Sequence, residues 1–314
     1  MPHEASESWK RRYELWLDFV TGFARSIESG RSIPLGPSHE ILDPPLGGEP
    51  ASGGNVLFCA AHPDDEGLSG ALALRLRFDS GARVRVVAVT LGSNTTERPR
   101  RLRELQSACS ALGFGLVVPR SHSGFDNVNL ISRREKPGEW AANVRALRDI
   151  FDREAPEAVF LPHGDDANTT HVGTHHLATE ALAAHLSAGA RKPVLLVETE
   201  FWHQIERPNL MVGLTAELVA AQLVGIGEHE GEMARNPYHL LHLCRLMDNV
   251  RRGSELIGQQ GSPAHSLVFA ELYNVAWMDG TSRIPARPGG HIIGADTKVD
   301  LDLLRSRFSP TDSG

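Results

Sequence analysis

The sequence predicts an α/β fold in which a mostly parallel, Rossmann-like sheet is covered by helices on both faces. Short apolar runs at 55–60 (NVLFCA) and 83–91 (RVRVVAVTL) are typical of strands buried in such a sheet. Segments with helical spacing of apolar residues separate these runs, which is the rhythm of βαβ units. An N-terminal helix and a C-terminal extension flank this core.

The predicted strands at 55–60, 83–91, 116–119, 158–162 and 193–198 alternate with helices at 67–78, 99–112, 140–153 and 171–186. Gly113 stands at a plausible C-cap of the second of these helices. Beyond residue 205 we expect helices at 214–224 and 238–256, a strand at 267–277 and a short helix near 301–307. We divide the chain into an N-terminal part (1–54), a core (55–205) and a C-terminal part of the same domain (206–314), which we expect to determine substrate specificity.

Residues 6–28 form the predicted N-terminal helix. Its apolar residues recur at alternating spacings of four and three, at Trp9, Tyr13, Trp16, Val20, Phe23 and Ile27. We expect this face to pack on the main domain, and a contact between copies of a homo-oligomer is the alternative. Residues 30–54 are rich in Gly, Pro and Ser and are predicted to be an irregular connector.

Composition excludes several classes of function. The formal net charge of −7 disfavours nucleic acid as a partner, because phosphate binding requires a basic surface. No apolar run approaches the roughly 18–20 residues that a membrane span needs. The N-terminus lacks the pattern of a secretory signal, and the three cysteines form neither a CxxC pair nor a disulfide framework. We therefore expect a cytoplasmic protein.

A dense polar cluster, His62-Pro63-Asp64-Asp65-Glu66, directly follows the first predicted strand. In parallel sheets, ligands bind at the carboxyl ends of the strands. The acids alone are also suited to the N-terminus of the next helix, but capping does not account for the whole cluster. His62 and Asp65 can converge on one metal ion, while Asp64 between them is suited to act as a base.

A second polar cluster follows the fourth predicted strand and runs from His163 to His171. Zinc accepts histidine nitrogen and carboxylate oxygen as ligands, and a catalytic zinc keeps one position for water. A third ligand from this cluster would complete such a site. A capped polar loop is the competing interpretation, and His175 and His176 are expected to be packing or surface residues.

Residues 61–66 (AHPDDE) resemble the signature of the LmbE/PIG-L family of zinc-dependent deacetylases. Its members typically remove acetyl from N-acetylglucosamine attached to inositol, lipid or another small group. Residues 101–113 are similar to the family's RxxE…A…LG helix, and the resemblance covers about residues 55–200. It implies one Zn²⁺ per chain, with Fe²⁺ as the alternative, held by His62, Asp65 and His171 with Asp64 as the general base.

The second motif departs from the family pattern His-x-Asp-His, because this chain has Asn168-Thr169-Thr170-His171. Asn168 can donate a hydrogen bond to an oxyanion but cannot shuttle a proton as histidine does. His229 and His163 are the candidates for the missing general acid. Arg101 resembles a residue that faces the substrate in relatives, and a helix-surface arginine is the alternative.

The polar clusters predict a metal site, and the resemblance implies a metal-dependent hydrolase that removes acetyl from an N-acetylated amino sugar or its glycoconjugate. An amidase acting on a larger amide uses the same chemistry and is the first alternative. A carbohydrate-binding relative without activity is the second. A nucleotide-binding oxidoreductase is disfavoured, since no glycine-rich fingerprint follows the first strand.

Overall fold

A computed structural model of the chain describes residues 7–36, 53–189, 192–258, 265–287 and 289–309. Most of the predicted connector at 30–54 lies outside these residues. Within them, the predicted α/β architecture is confirmed: helices cover both faces of one large, mostly parallel sheet. No described helix is long and apolar enough to cross a membrane.

Five parallel strands form the half of the sheet that was predicted strand by strand. They are β1 (Asn55–Ala60), β2 (Arg83–Ala88), β3 (Gly115–Val117), β4 (Ala158–Pro162) and β5 (Val194–Thr199). Their spatial order is β3-β2-β1-β4-β5. The first strand, β1, and the fourth, β4, are therefore neighbours, so their carboxyl ends lie side by side.

The C-terminal part extends this sheet with β6 (Leu210–Leu214), β7 (Phe269–Asp279), β8 (Ser282–Pro285) and β9 (His291–Ile293). β7 runs antiparallel to β5 on one side and to β6 on the other, and β9 pairs in parallel with β6. Of these four strands the sequence predicted only β7, because the others are three to five residues long.

Twelve helices are described, and most of the longer ones match a predicted helix. They are α1 (Glu7–Gly30), α2 (Asp65–Leu68), α3 (Ala71–Ser80), α4 (Arg98–Ala111), α5 (Pro119–His122), α6 (Leu130–Glu135), α7 (Pro137–Glu154), α8 (Thr169–Ser187), α9 (Ala216–Gly227), α10 (Glu230–Arg235), α11 (Tyr238–Leu256) and α12 (Leu301–Arg307). Gly113 follows the end of α4 with φ 68°, in the conformation expected at a helix C-terminus.

The side chains of β1 divide between two cores, one on each face of the sheet. Val56 and Phe58 point into the core beneath α3, α4 and α9. Leu57 and Cys59 point into the opposite core beneath α7 and α8. Burial on both faces explains why the strand reads as an unbroken apolar run.

The single helix predicted at 67–78 is wrong, because the chain breaks between α2 and α3. A Cβ at Gly70 would lie 2.0 Å from the carbonyl oxygen of Glu66, so the turn requires glycine. The free N–H groups at the start of α3 are bound by side chains of β7. Ala71 N–H donates to Glu271 Oε2 at 3.1 Å, and Leu72 N–H donates to the Tyr273 hydroxyl at 2.9 Å. Sequence periodicity cannot reveal these partners, which lie about 200 residues away.

The expectation that the N-terminal helix packs on the main domain is also wrong. α1 forms where predicted, but none of its residues is buried. Its aromatic face is exposed along its length, and its C-terminal end meets α11, where a Cβ at Gly30 would lie 2.7 Å from Leu240 Cδ2.

We predict that Gly173 allows α8 to pack closely against the backbone at Val128. A Cβ at this position would lie 2.4 Å from the carbonyl oxygen of Val128, and backbone cannot move aside easily. We expect Gly173→Ala to lower the free energy of unfolding by about 1–3 kcal/mol, measured by urea denaturation. Gly138→Ala is the matched control, because nothing lies within 4 Å of its Cβ position. Equal stability of the two variants would contradict this packing argument.

Candidate metal centre

Three potential ligands converge at the carboxyl ends of β1 and β4. His62 and Asp65 come from the turn after β1, and His171 comes from the first turn of α8. The Nε2 atom of His171 lies 3.2 Å from His62 Nδ1 and 3.4 Å from Asp65 Oδ1. One ligand atom from each residue fits within 4.8 Å of the others, so this cluster can hold a metal ion.

The electrostatics of the cluster favour a bound cation. Burial lowers the pKa of His171, but Asp65 and Asp166 outweigh it and raise the pKa to about 10. Burial raises the pKa of Asp65, but His171 and His62 outweigh it and lower the pKa to about 2. The carboxylates thus stabilise positive charge at His171 Nε2. A divalent cation in contact with the same atoms would supply that charge to a neutral imidazole.

His62 is already suited to binding a metal. Burial, the largest influence, lowers its pKa to about 4, so its imidazole is neutral and one ring nitrogen carries a lone pair. Its backbone N–H donates to Asp65 Oδ2 at 2.9 Å, which fixes the carboxylate next to the ring. The donor set of two imidazoles and one carboxylate is the set that catalytic zinc sites use.

The Asp166 carboxylate faces the Nδ1 side of the His171 ring, whose Nε2 side faces His62 and Asp65. Its Oδ2 lies 3.4 Å from His171 Nδ1, and its Oδ1 accepts the N–H of Asn168 at 2.8 Å. Carboxylates in this position fix the tautomer and orientation of a metal-binding histidine. The sequence analysis gave Asp166 no role, although its position after β4 in the second cluster is the signal that could have identified it.

Asp64 lies on the wall of a cavity beside His62 and Asp65, in a strained conformation. Its φ of 122° is a value that residues other than glycine rarely adopt. Burial, followed by the charge of Asp65, raises its pKa well above the ordinary value. The turn therefore directs a buried carboxyl group toward the ligands of the candidate metal centre.

Glu66 stabilises this strained turn together with His229. Its Oε2 accepts the N–H of Asp64 at 3.1 Å, and its Oε1 lies 2.5 Å from His229 Nε2. The side chains of both Glu66 and His229 are fully buried. Burial lowers the pKa of His229, but Glu66 outweighs it and raises the pKa. His229, one of the two candidates for the general acid, is therefore paired with Glu66 and does not line the cavity that Asp64 lines.

Asn168 and Arg101 both reach the cavity wall. The Oδ1 atom of Asn168 accepts the N–H groups of Thr170 at 2.8 Å and His171 at 3.3 Å, so it caps α8. Arg101 lies 3.4 Å from Glu232 and donates to the carbonyl of Pro63 at 3.3 Å. Its guanidinium also fills the space beside Gly92, where a Cβ would lie 2.2 Å from Nη1.

The cavity has a volume of about 290 Å³ and is lined by two of the candidate ligands, His62 and Asp65, and by an aromatic wall. Phe201, Trp202 and Tyr238 form this wall, with ring centroids 5.2 Å apart for Phe201–Trp202 and 5.4 Å for Phe201–Tyr238. Phe201 and Trp202 were missed in the sequence, whereas Tyr238 belongs to the C-terminal part that was expected to determine substrate specificity. Phe201 and Trp202 follow β5, so the rule that located the two polar clusters also applies to them.

His163 lines a neighbouring cavity of about 690 Å³ instead, together with His175, His176 and His203. Its Nε2 lies 2.9 Å from the carbonyl oxygen of His203 and 3.9 Å from Asp166 Oδ2. His163 is therefore separated from the candidate metal centre by Asp166.

The fold and the site together define an α/β protein with a candidate metal centre at the carboxyl edge of its sheet. Residues 57–182 match the model of the PIG-L family, described as GlcNAc-PI de-N-acetylase. This result agrees with the resemblance found in the sequence. Members of the family are metal-dependent, which fits the cluster of His62, Asp65 and His171.

Two relatives bear the name 1D-myo-inositol 2-acetamido-2-deoxy-alpha-D-glucopyranoside deacetylase. The protein from Streptomyces scabiei is 28% identical over 207 residues, which cover 54% of this chain and 62% of the relative. The protein from Thermomonospora curvata is 28% identical over 168 residues, which cover 44% of this chain and 56% of the relative. The matches thus span less than two thirds of either relative.

Solved structures show the same fold. The N,N'-diacetylchitobiose deacetylase from Pyrococcus horikoshii has a TM-score of 0.51 and 14% identity, covering 89% of this chain and 96% of that one. GalB, a 4-carboxy-2-hydroxymuconate hydratase from Pseudomonas putida KT2440, has a TM-score of 0.54 and 20% identity, covering 71% and 95%. A hydratase and a deacetylase share this fold, so the reaction has to be argued from the site.

We predict that His171→Ala abolishes stoichiometric zinc binding, because it removes one of three convergent donors. We expect Asp166→Asn to weaken zinc binding about 10–100-fold, since it removes the carboxylate that orients His171. Isothermal titration calorimetry with zinc measures both effects. His176→Ala is the control, since this histidine lines the neighbouring cavity and should leave the affinity unchanged. Unaltered zinc binding by His171→Ala would refute the assignment.

We predict that Glu66→Gln destabilises the protein by about 1–3 kcal/mol. Each carboxylate oxygen of Glu66 accepts one buried N–H group, and glutamine replaces one of these oxygens with an amide nitrogen, which cannot accept. Urea denaturation measures the change. Glu230→Gln, at an exposed acid one residue after His229, is the control and should have little effect. If both variants unfold at the same urea concentration, Glu66 does not stabilise the turn.

Proposed function

We propose that this chain is a zinc-dependent N-deacetylase that hydrolyses the acetamide of an N-acetylated amino sugar or its conjugate. One observation carries the proposal: a buried, strained Asp64 lies on one cavity wall beside three convergent metal donors. The match to the PIG-L family model and the names of the two curated relatives support the same reaction.

Bound zinc would act as a Lewis acid on the acetamide carbonyl and lower the pKa of water toward about 7, and His62, Asp65 and His171 would hold it. Asp64 accepts a proton from the attacking water as the water oxygen bonds to the carbonyl carbon. The same carboxyl group then gives that proton to the departing nitrogen as the C–N bond breaks. The products are acetate and a free amine.

Asn168 is suited to stabilise the oxyanion that forms during attack. Its Oδ1 is engaged in capping α8, and this orientation leaves the amide N–H₂ as the donor end of the side chain. A preorganised donor of this kind contributes about 3–4 kcal/mol in other hydrolases. We propose that Asp64 serves as both base and acid, because His229 Nε2 is already bound to Glu66.

The aromatic wall is suited to an amino sugar. Trp202 is half exposed at the cavity, while Phe201 is held in place by Tyr238 and by the Arg245 guanidinium, 5.2 Å from its ring centroid. A sugar ring presents an apolar face that an exposed indole can cover, and its hydroxyl groups can reach Arg101 and Glu232. The C-terminal part supplies Glu232 and Tyr238, in accord with a role in substrate specificity.

We predict that Asp64→Asn lowers kcat about 10²–10⁴-fold while zinc binding is retained, since the amide cannot transfer the proton. The assay is acetate release from N-acetylglucosaminyl-inositol, N-acetylglucosamine and N,N'-diacetylchitobiose by zinc-loaded protein. Asp165→Asn is the matched control, because this acid lines the neighbouring cavity and should leave kcat unchanged.

Near-normal turnover by Asp64→Asn would contradict the role of Asp64. No acetate from any compound, with one zinc bound per chain, would contradict the proposed substrate class and favour a larger amide or a binding role.

A further inference from the structure

α1 carries an apolar seam whose large side chains are mostly exposed among the described residues. The seam consists of residues at alternating spacings of four and three: Trp9, Tyr13, Trp16, Val20, Phe23 and Ile27. Trp9 is 50% exposed and Trp16 is 66% exposed. This spacing is the a and d pattern of a heptad repeat, which is the signature of helices that pack along one another.

Within the described residues, α1 gains little packing from the rest of the chain. Isolated helices are marginal in water, and most helical stability in proteins comes from packing of an apolar face. α1 buries none of its residues, and its contact with α11 includes Gly30, which lies against Leu240. Contiguous exposed apolar surface of this kind marks an interaction site.

We infer that α1 pairs with α1 of a second copy of this chain, so that the two seams face each other in a homodimer. The heptad repeat supplies both halves of such a contact from one sequence, as a two-fold interface requires. The positions opposite the seam are all charged, namely Arg11, Asp18 and Arg25, and would face solvent.

The apolar area is sufficient for a stable dimer. Leu17 and Phe19 flank the seam on either side and are 49% and 65% exposed, so they widen it in its middle heptad. Half-exposed rings and aliphatic side chains along the seam offer roughly 600–700 Å² per copy, close to the ~800 Å² per partner of a standard interface.

A second copy fits this seam better than a lipid surface does. α1 carries four basic and four acidic residues, so the helix has no net positive charge to attract anionic lipid. Glu14 and Asp18 lie between Arg12 and Arg25 in the chain, and the whole chain carries a net charge of −7. Helices that lie on membranes are typically rich in Lys and Arg on the polar face.

The experiment compares two double variants of the full chain by analytical ultracentrifugation. Trp16→Glu with Val20→Glu places two carboxylates in the seam. Thr21→Glu with Ser29→Glu places the same charges on the polar side of α1. We expect the wild type and the polar-side variant to sediment as dimers, and the seam variant to sediment at the monomer mass of 34.2 kDa.

A milder variant tests the same interface if the seam variant does not fold. Phe23→Ala removes one ring without adding charge, and we expect the dissociation constant of the dimer to rise at least tenfold. A monomeric wild type, or seam variants with the dissociation constant of the wild type, would overturn the proposal. Co-sedimentation of a monomeric wild type with vesicles of phosphatidylcholine and phosphatidylglycerol would overturn it in favour of a lipid surface.

Discussion

The pairing of β1 with β4 is the constraint on which the candidate site depends. The two strands are about 100 residues apart in the chain, yet Val56 lies beside Ala158 and Phe58 beside Phe160 in parallel register. The turn after β1 and the helix after β4 therefore start from the same edge of the sheet. Only this adjacency brings His171 within reach of His62 and Asp65. The same geometry explains why two motifs far apart in the sequence can serve one reaction.

Several charged side chains are buried at this edge of the sheet, which costs free energy of folding. Isolated buried charges are strongly unfavourable, so each must have a partner. Glu66 is matched by His229, and Asp166 by His171. The cluster of Asp64, Asp65 and Glu66 still places three acids in one buried turn, and Asp64 adds backbone strain. Such strain persists where surrounding contacts stabilise it. Here the Glu66 carboxylate accepts the N–H of Asp64 and stabilises the strained backbone.

The sequence correctly predicted those helices and strands that are determined by local patterns of apolar residues. The ends of β1, β4, α11 and α12 were predicted from apolar runs and helical periodicity. The break at Gly70 was not, since it depends on Glu271 and Tyr273 from a distant strand. The two polar motifs predicted the residues that converge on the candidate metal centre. Motif spacing does not indicate how deeply a side chain is buried. The burial of His229 and its pairing with Glu66 are therefore visible only in the structure. The short strands β6, β8 and β9 were missed because three to five residues carry too little periodic signal.

The fold alone is compatible with more than one reaction, so the proposed deacetylase activity depends on the proposed ligands of the metal. X-ray absorption spectroscopy at the zinc edge, on protein loaded with one zinc per chain, observes those ligands directly. We expect two imidazole nitrogens and additional oxygen donors at about 2.0–2.2 Å from zinc, with one imidazole lost in His171→Ala. A sulfur ligand, a single imidazole in the wild type, or a spectrum that His171→Ala leaves unchanged would contradict it.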